Sequence, residues 1–272
     1  MKYAFSTLGV PGRTIAEAAA LAAEHGFDGV ELRAHPEEPL HPGTGSSDRA
    51  AAVRTLAAAG VEALTVAGYA RVAAPGEDDL VVAELLSLIV LAADLGAPFV
   101  RVFAGGRGLP ERAADAAAVR RLAAAAPFAE RHGVRILLET HDSHRTGAAT
   151  GRVLDEVGHP AAGALWDVLH TWLGGEEPAA SRRALARHLA YVQVKDVASP
   201  RELTPLALGA GVLPLAEAVA AVPPGGWVCW EYEKRWYPGS AELPGQLTQG
   251  REYLAGLARV QADRASRRGS TG

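Results

Sequence analysis

The chain has 272 residues, 49% hydrophobic and 21% charged, the composition of a folded globule, and 272 residues suit one closed α/β domain. Its net charge of −4 argues against a chain built to lie along nucleic acid or an anionic membrane surface. The single cysteine excludes an intramolecular disulfide and any cysteine-clustered metal site.

No apolar run approaches the ~18 residues that span a bilayer. The opening MKYAFSTLGV lacks the apolar stretch of a secretion signal, so a cytoplasmic location is expected. Short runs rich in Val, Ile, Leu and aromatics then alternate with Ala/Leu/Glu/Arg segments of helical period. In chain order the predicted strands are Lys2–Ser6, Gly29–Arg33, Glu62–Ala67, Phe99–Phe103, Arg135–Glu139, Ala162–Trp166, Tyr191–Lys195 and Trp227–Glu231.

The helices between them carry end signals. Thr14 with Glu17 forms a capping box, and Gly26 follows at the C-terminal end. Asp78–Gly96 and Glu111–Gly133 repeat that plan, and Pro214 is expected at the first helical position of another. A last helix is expected from Leu243 to Val260, before a polar tail over 261–272. Strands joined by helices imply parallel pairing. Eight of them within residues 1–260 predict a single (β/α)8 TIM barrel; no G-x-G-x-x-G follows the first strand, as an open dinucleotide-binding sheet would require.

In such a barrel, chemistry belongs at the C-terminal strand ends. Four successive strands end in an oxygen-bearing side chain: Glu139, Asp167, Gln193 and Glu231. A carboxylate inside an apolar strand costs several kcal/mol unless it is paired or metal-bound. Adjacent strands lie about 4.8 Å apart, so four inward side chains at similar height could converge on one ion. That oxygen-only set favours Mg²⁺ or Mn²⁺, with Co²⁺ tolerated.

These residues resemble the xylose-isomerase-like TIM barrels of sugar isomerases and epimerases. The resemblance runs from Phe5 to about Gly239. It rests on the Glu ending strand five, Trp166-Asp167-x-x-His170, Val192-x-Val194-Lys195-Asp196 and Trp230-Glu231-x-Glu233-Lys234-x-Trp236. It implies that Glu139, Asp167, Gln193 and Glu231 hold one divalent ion. It also implies that Glu139 and Glu231 exchange a proton next to a carbonyl, through a metal-stabilised enediolate. Most relatives have histidine where this chain has Gln193; the glutamine resembles the hydroxypyruvate-isomerase branch.

His170, three residues past Asp167, and His141, two past Glu139, are candidate substrate contacts, as are Lys195 and the loop residue Arg201. Lys195 stands out because only Lys2, Lys195 and Lys234 are lysines among 27 basic residues, and two of them end strands seven and eight. Alternation turns Lys195 inward with Gln193. A bridge from Lys195 to Asp196 is the structural alternative, and Lys234 is expected to pair with Glu233. Glu31 is expected to pair with Arg33, and Cys229 to lie in the core.

The expected activity is isomerisation or epimerisation of a sugar, inosose or small hydroxy-keto acid. A lyase acting on oxidised (keto) glycosides could use the same proton abstraction, and a non-catalytic sugar-binding barrel is the reading without chemistry. A nuclease would need more strand-end histidines and a basic face. The expected partner is a small carbohydrate, with neither nucleic acid nor membrane involved; relatives often form homo-oligomers.

Overall fold

In the computed structural model, residues 1–269 are described as backbone and residues 1–260 with their side chains. Eight parallel strands close into a barrel in sequence order, β1 (Lys2–Ser6), β2 (Gly29–Arg33), β3 (Glu62–Arg71), β4 (Phe99–Phe103), β5 (Arg135–Glu139), β6 (Ala162–Asp167), β7 (Leu189–Val194) and β8 (Trp227–Trp230), with β8 returning to β1. The single-domain (β/α)8 barrel expected from the alternation is therefore the fold.

Helices α1 (Ile15–Glu24), α2 (Ser46–Ala58), α3 (Asp78–Leu95), α4 (Glu111–Arg131), α5 (Gly147–Val157), α6 (Val168–Leu173), α7 (Pro178–Leu185), α8 (Leu215–Ala221) and α9 (Leu247–Gly269) cover the outside. None of the described helices is long and apolar enough to cross a membrane.

End signals set by neighbouring residues form as the sequence predicts. The Thr14 hydroxyl accepts from Glu17 N–H and the Glu17 carboxylate accepts from Thr14 N–H, the reciprocal cap expected. Gly96 ends α3 in the left-handed conformation, φ 68°. Other boundaries moved. β3 continues to Arg71 across a register irregularity after Ala67, and β8 stops at Trp230, leaving Glu231 just beyond it. Pro214 is the residue before α8 rather than its first helical one. Pro244–Gln246 forms a 3-10 turn before α9, whose backbone stays helical beyond Val260 to Gly269. Of the polar tail expected over 261–272, the side chains and the last three residues lie outside the described residues.

The core has two parts. Outward residues such as Val192, Val194 and Val228 pack under the helices in one continuous cluster. Inside the barrel a small plug of Ala4, Leu64, Leu137, Leu165, Tyr191 and Cys229 fills the bore, so Cys229 is core, as expected. Each large plug side chain contributes about 1.5–3 kcal/mol by leaving water. The plug also closes the bore below the polar residues, so ligand must enter from the C-terminal end.

A candidate active site at the C-terminal strand ends

Period-two alternation turns Tyr191, Gln193 and Lys195 of the seventh strand segment inward, one above another. The same rule brings Glu31, Arg101, Glu139, Asp167 and Glu231 inside, all of them buried. The four oxygen-bearing residues are not level, however. Glu139 pairs with Leu165, Asp167 with Gln193, and Gln193 with Cys229. Barrel shear thus offsets Glu139 from Asp167, and Gln193 from Glu231, by two residues each.

Lys195 is the hub. Its Nζ lies 2.9 Å from Asp167 Oδ2 and 2.7 Å from Glu233 Oε1, and it donates a hydrogen bond to Glu231 Oε2. Burial works against its charge, yet Asp167, Glu231 and Glu233 outweigh burial and hold the ammonium well above the usual lysine pKa. The bridge to Asp196 does not form. Asp196 instead accepts N–H groups from Gly209 and Gly211 at 2.9 Å and from Leu213 at 3.2 Å, clamping the loop before α8.

Arg101, on β4, is a second buried cation. Its Nε is 3.1 Å from Glu139 Oε2, its Nη2 4.0 Å from Glu231 Oε1, and its guanidinium stacks 4.1 Å from the Phe103 ring. Burial pushes the Glu139 carboxyl well above its usual pKa; Arg101 opposes this, while Glu231 and Asp167 add to it. Burial likewise raises Glu31, with repulsion from Glu231 adding to it.

Gln193 donates from Nε2 to Glu31 Oε1 at 3.0 Å, and Tyr191 donates its hydroxyl to Glu31 Oε2 at 2.5 Å. Glu31 therefore does not pair with Arg33. Arg33 turns to Glu38 and the Tyr69 hydroxyl, and its guanidinium lies 5.4 Å from the ring of the half-exposed Trp236.

Asp167 splits its carboxylate. Oδ1 accepts from Leu169 N–H at 2.8 Å and caps α6, while Oδ2 faces Lys195. Among the described residues, Glu139 Oε2, Asp167 Oδ2 and Gln193 Oε1 are buried with no hydrogen bond. Five acids (Glu31, Glu139, Asp167, Glu231 and Glu233) face only Arg101 and Lys195. Gln193 Oε1 has no partner, while Glu139 Oε2 and Asp167 Oδ2 are ion-paired with Arg101 and Lys195. Oxygen donors and more acids than cations suit a hard divalent cation, which would compete with those two side chains. Among the described residues, the ligand atoms gathered within 4.8 Å of one another are those of Glu139, His141 and His170, so the structure does not bring Glu139, Asp167 and Glu231 together as tightly.

The loop after β5 brings His141 to the same place. Its ring centroid is 3.9 Å from that of His170 and 4.5 Å from Phe103. Burial, then His141 and Lys195, keep His170 well below the usual histidine pKa, hence neutral. Arg201, by contrast, is exposed, and no described contact joins its guanidinium to the acids. Lys234 pairs with Glu242 at 2.7 Å and the carbonyls of Pro238 and Ser240, not with Glu233.

Sequence reading missed Arg101, Glu31 as a site member, and Glu233. The signal for Arg101 was present: a charged residue at the centre of Phe-Val-Arg-Val-Phe needs a partner as much as a strand-end acid does.

A family described as xylose isomerase-like TIM barrel matches residues 19–257. No curated protein matches the sequence. Among solved structures, the probable 3-DHS dehydratase AsbF of Bacillus anthracis is 18% identical, with a TM-score of 0.76 over 94% of this chain and 99% of that one. The IOLI protein with a binding zinc atom is 17% identical, with a TM-score of 0.77 over 95% and 98%. D-psicose 3-epimerase with D-tagatose from Clostridium cellulolyticum H10 is 17% identical, with a TM-score of 0.78 over 96% and 99%.

Proposed function

The chain belongs to the xylose isomerase-like TIM-barrel family, and from that premise we propose that it is a divalent-cation-dependent isomerase or epimerase of a sugar, inosose or small hydroxy-keto acid. The observation that carries this reading is the cluster of buried acids Glu139, Asp167 and Glu231 at the C-terminal strand ends, with Gln193 Oε1 beside them left without a partner, above a plugged bore. Glu139, Asp167, Gln193 and Glu231 would hold one ion, Mn²⁺ or Mg²⁺ by donor type and Co²⁺ next. When bound, it supplies positive charge against the negative charge that grows on a carbonyl oxygen as a neighbouring C–H proton leaves.

The chain's own groups supply the rest. Glu231 and Glu139 are assigned the proton transfers, one carboxylate taking the proton and the other facing the opposite side of the carbon. Lys195 holds Glu231 in place by a direct hydrogen bond and presents an ammonium to substrate oxygens. His141 and His170, side by side at the mouth, are assigned the substrate hydroxyls. Arg201, placed outside these contacts, has a part only if its loop moves.

The similar structures include a D-psicose 3-epimerase with D-tagatose and a probable dehydratase. A dehydration would begin with the same abstraction and then expel a hydroxyl, so a lyase is the second reading. The test is a screen of ketoses, aldoses, inososes and hydroxypyruvate with Mn²⁺ in deuterated water, alongside metal analysis of wild type, Glu139→Ala and Asp167→Ala. The expected result is an isomer or epimer carrying deuterium on the carbon that changes, or proton return without exchange by the same glutamate, with metal lost in both variants. Equal metal content in all three proteins overturns the site, and a dehydrated product overturns isomerisation in favour of the lyase.

A further inference from the structure

Outside the bore, the turn after β5 holds a hydrogen-bonded serine, histidine and aspartate in series. Ser143 Oγ lies 3.0 Å from His144 Nδ1, and His144 Nε2 lies 2.8 Å from Asp115 Oδ1 on α4. His144 is buried and Ser143 exposed, while Arg152 Nε on α5 donates to Asp115 Oδ2 at 2.7 Å. None of these residues belongs to the acids and histidines at the mouth of the bore.

The protons of this series have one consistent placement. Burial works against the Asp115 charge, but hydrogen bonds from Arg152 and His144 outweigh it and hold the carboxyl below its usual pKa. An ionised Asp115 only accepts, so the proton of a neutral His144 sits on Nε2 and Nδ1 keeps a lone pair. Gly106 N–H donates to Ser143 Oγ at 2.9 Å, which leaves the hydroxyl proton to point at Nδ1. A hydroxyl, a base and an acid that fixes the base's tautomer are the parts of an activated nucleophile. The two ring nitrogens are exchanged relative to the usual triad, with each role kept.

Ser143, His144 and Arg152 also line a cavity of about 210 Å³, together with Leu109, Ala114 and Ala149. Its apolar wall suits a short acyl chain, and the Arg152 guanidinium brings positive charge to the cavity for a developing oxyanion.

We propose that Ser143 is an acyl-accepting nucleophile for esters of short carboxylic acids, with His144 as its base and Asp115 positioning that base. Ser143 Oγ bonds to the acyl carbon while its proton passes to His144 Nδ1. The bond from the acyl carbon to the alcohol oxygen then breaks, and the proton leaves with the alcohol. Water repeats the sequence on the acyl-serine, releasing the carboxylic acid and restoring the hydroxyl.

The test is p-nitrophenyl acetate with the full-length protein in chelator, read as nitrophenol release and, after acid quenching, as acetyl groups located by peptide mass spectrometry. Wild type should release nitrophenol and carry acetyl on Ser143. Ser143→Ala, at an exposed position, should lose that acetyl and the release that accompanies it. His144→Gln should acylate about 10²–10⁴-fold more slowly, the range for losing a general base. Asp115→Asn serves if that variant does not fold. It should slow acylation and leave the half-saturating ester concentration unchanged, because Asp115 does not touch the ester. No acetyl on Ser143 in wild type, or undiminished release from Ser143→Ala, overturns the proposal. Chelator keeps this assay independent of the isomerase reading, which stands or falls on its own screen.

Discussion

Lys195 Nζ sits 2.9 Å from Asp167 Oδ2, inside a ring of acids that also includes Glu231 and Glu233. A protein-borne cation thus shares the carboxylates proposed to hold a divalent ion.

Removing that ammonium separates its two roles. Lys195→Met should destabilise the chelated protein by about 3–5 kcal/mol, the usual result of stranding buried charges. Mn²⁺ should restore more of the thermal midpoint in the variant than in wild type. Equal midpoints for variant and wild type in chelator would mean that Lys195 does not hold the acids together.

Gln193 is fixed through its Nε2 by Glu31, with its Oε1 left without a hydrogen bond. Gln193→His exchanges an amide oxygen for a softer imidazole, so metal preference should shift from Mg²⁺ or Mn²⁺ toward Co²⁺ or Zn²⁺. The check is the ranking of thermal stabilisation by each ion. An unchanged ranking would place residue 193 away from the ion.

Glu231→Gln keeps size and an oxygen donor while removing the base. Metal content should persist while turnover falls about 10²–10⁴-fold, the range for losing a general acid or base. Turnover near the wild-type rate would move the proton transfer to another group.

The pH dependence of the metal-free protein has a definite sign. Glu139 and Glu31 have folded-state pKa values raised above those of the unfolded chain, so the folded form binds more protons. Their contribution to stability is full below the ordinary carboxylate pKa and is lost as pH rises through the raised values. Chemical unfolding with chelator should show this decline, and Mn²⁺ should flatten it. Stability rising with pH over that range in chelator, in a Glu31→Gln background as in wild type, would contradict it.

Away from the chemistry, buried Arg121 donates to the carbonyls of Val72, Ala74 and Gly76 and to Asp78, tying down the loop between β3 and α3. Arg121→Met strands those acceptors and should cost about 2–4 kcal/mol. For a chain of this size that lowers the melting midpoint by roughly 5–10 °C. A change below about 1 °C would show that water satisfies the loop equally well.

The alternation of strand and helix, the Thr14–Glu17 cap and the inward set of Glu139, Asp167, Gln193, Lys195 and Glu231 were legible in the sequence. Each follows from periodicity or from a neighbour three residues away. Partners were not. Glu31 finds Tyr191 and Gln193 across the bore rather than Arg33 two residues along, Lys195 passes over Asp196 for acids on β6 and beyond β8, and Arg101 reaches Glu139 on the neighbouring strand. Strand shear sets which inward side chains meet, and it arises only when eight strands close on themselves. A charge buried by that closure then takes whichever opposite charge the geometry brings within reach.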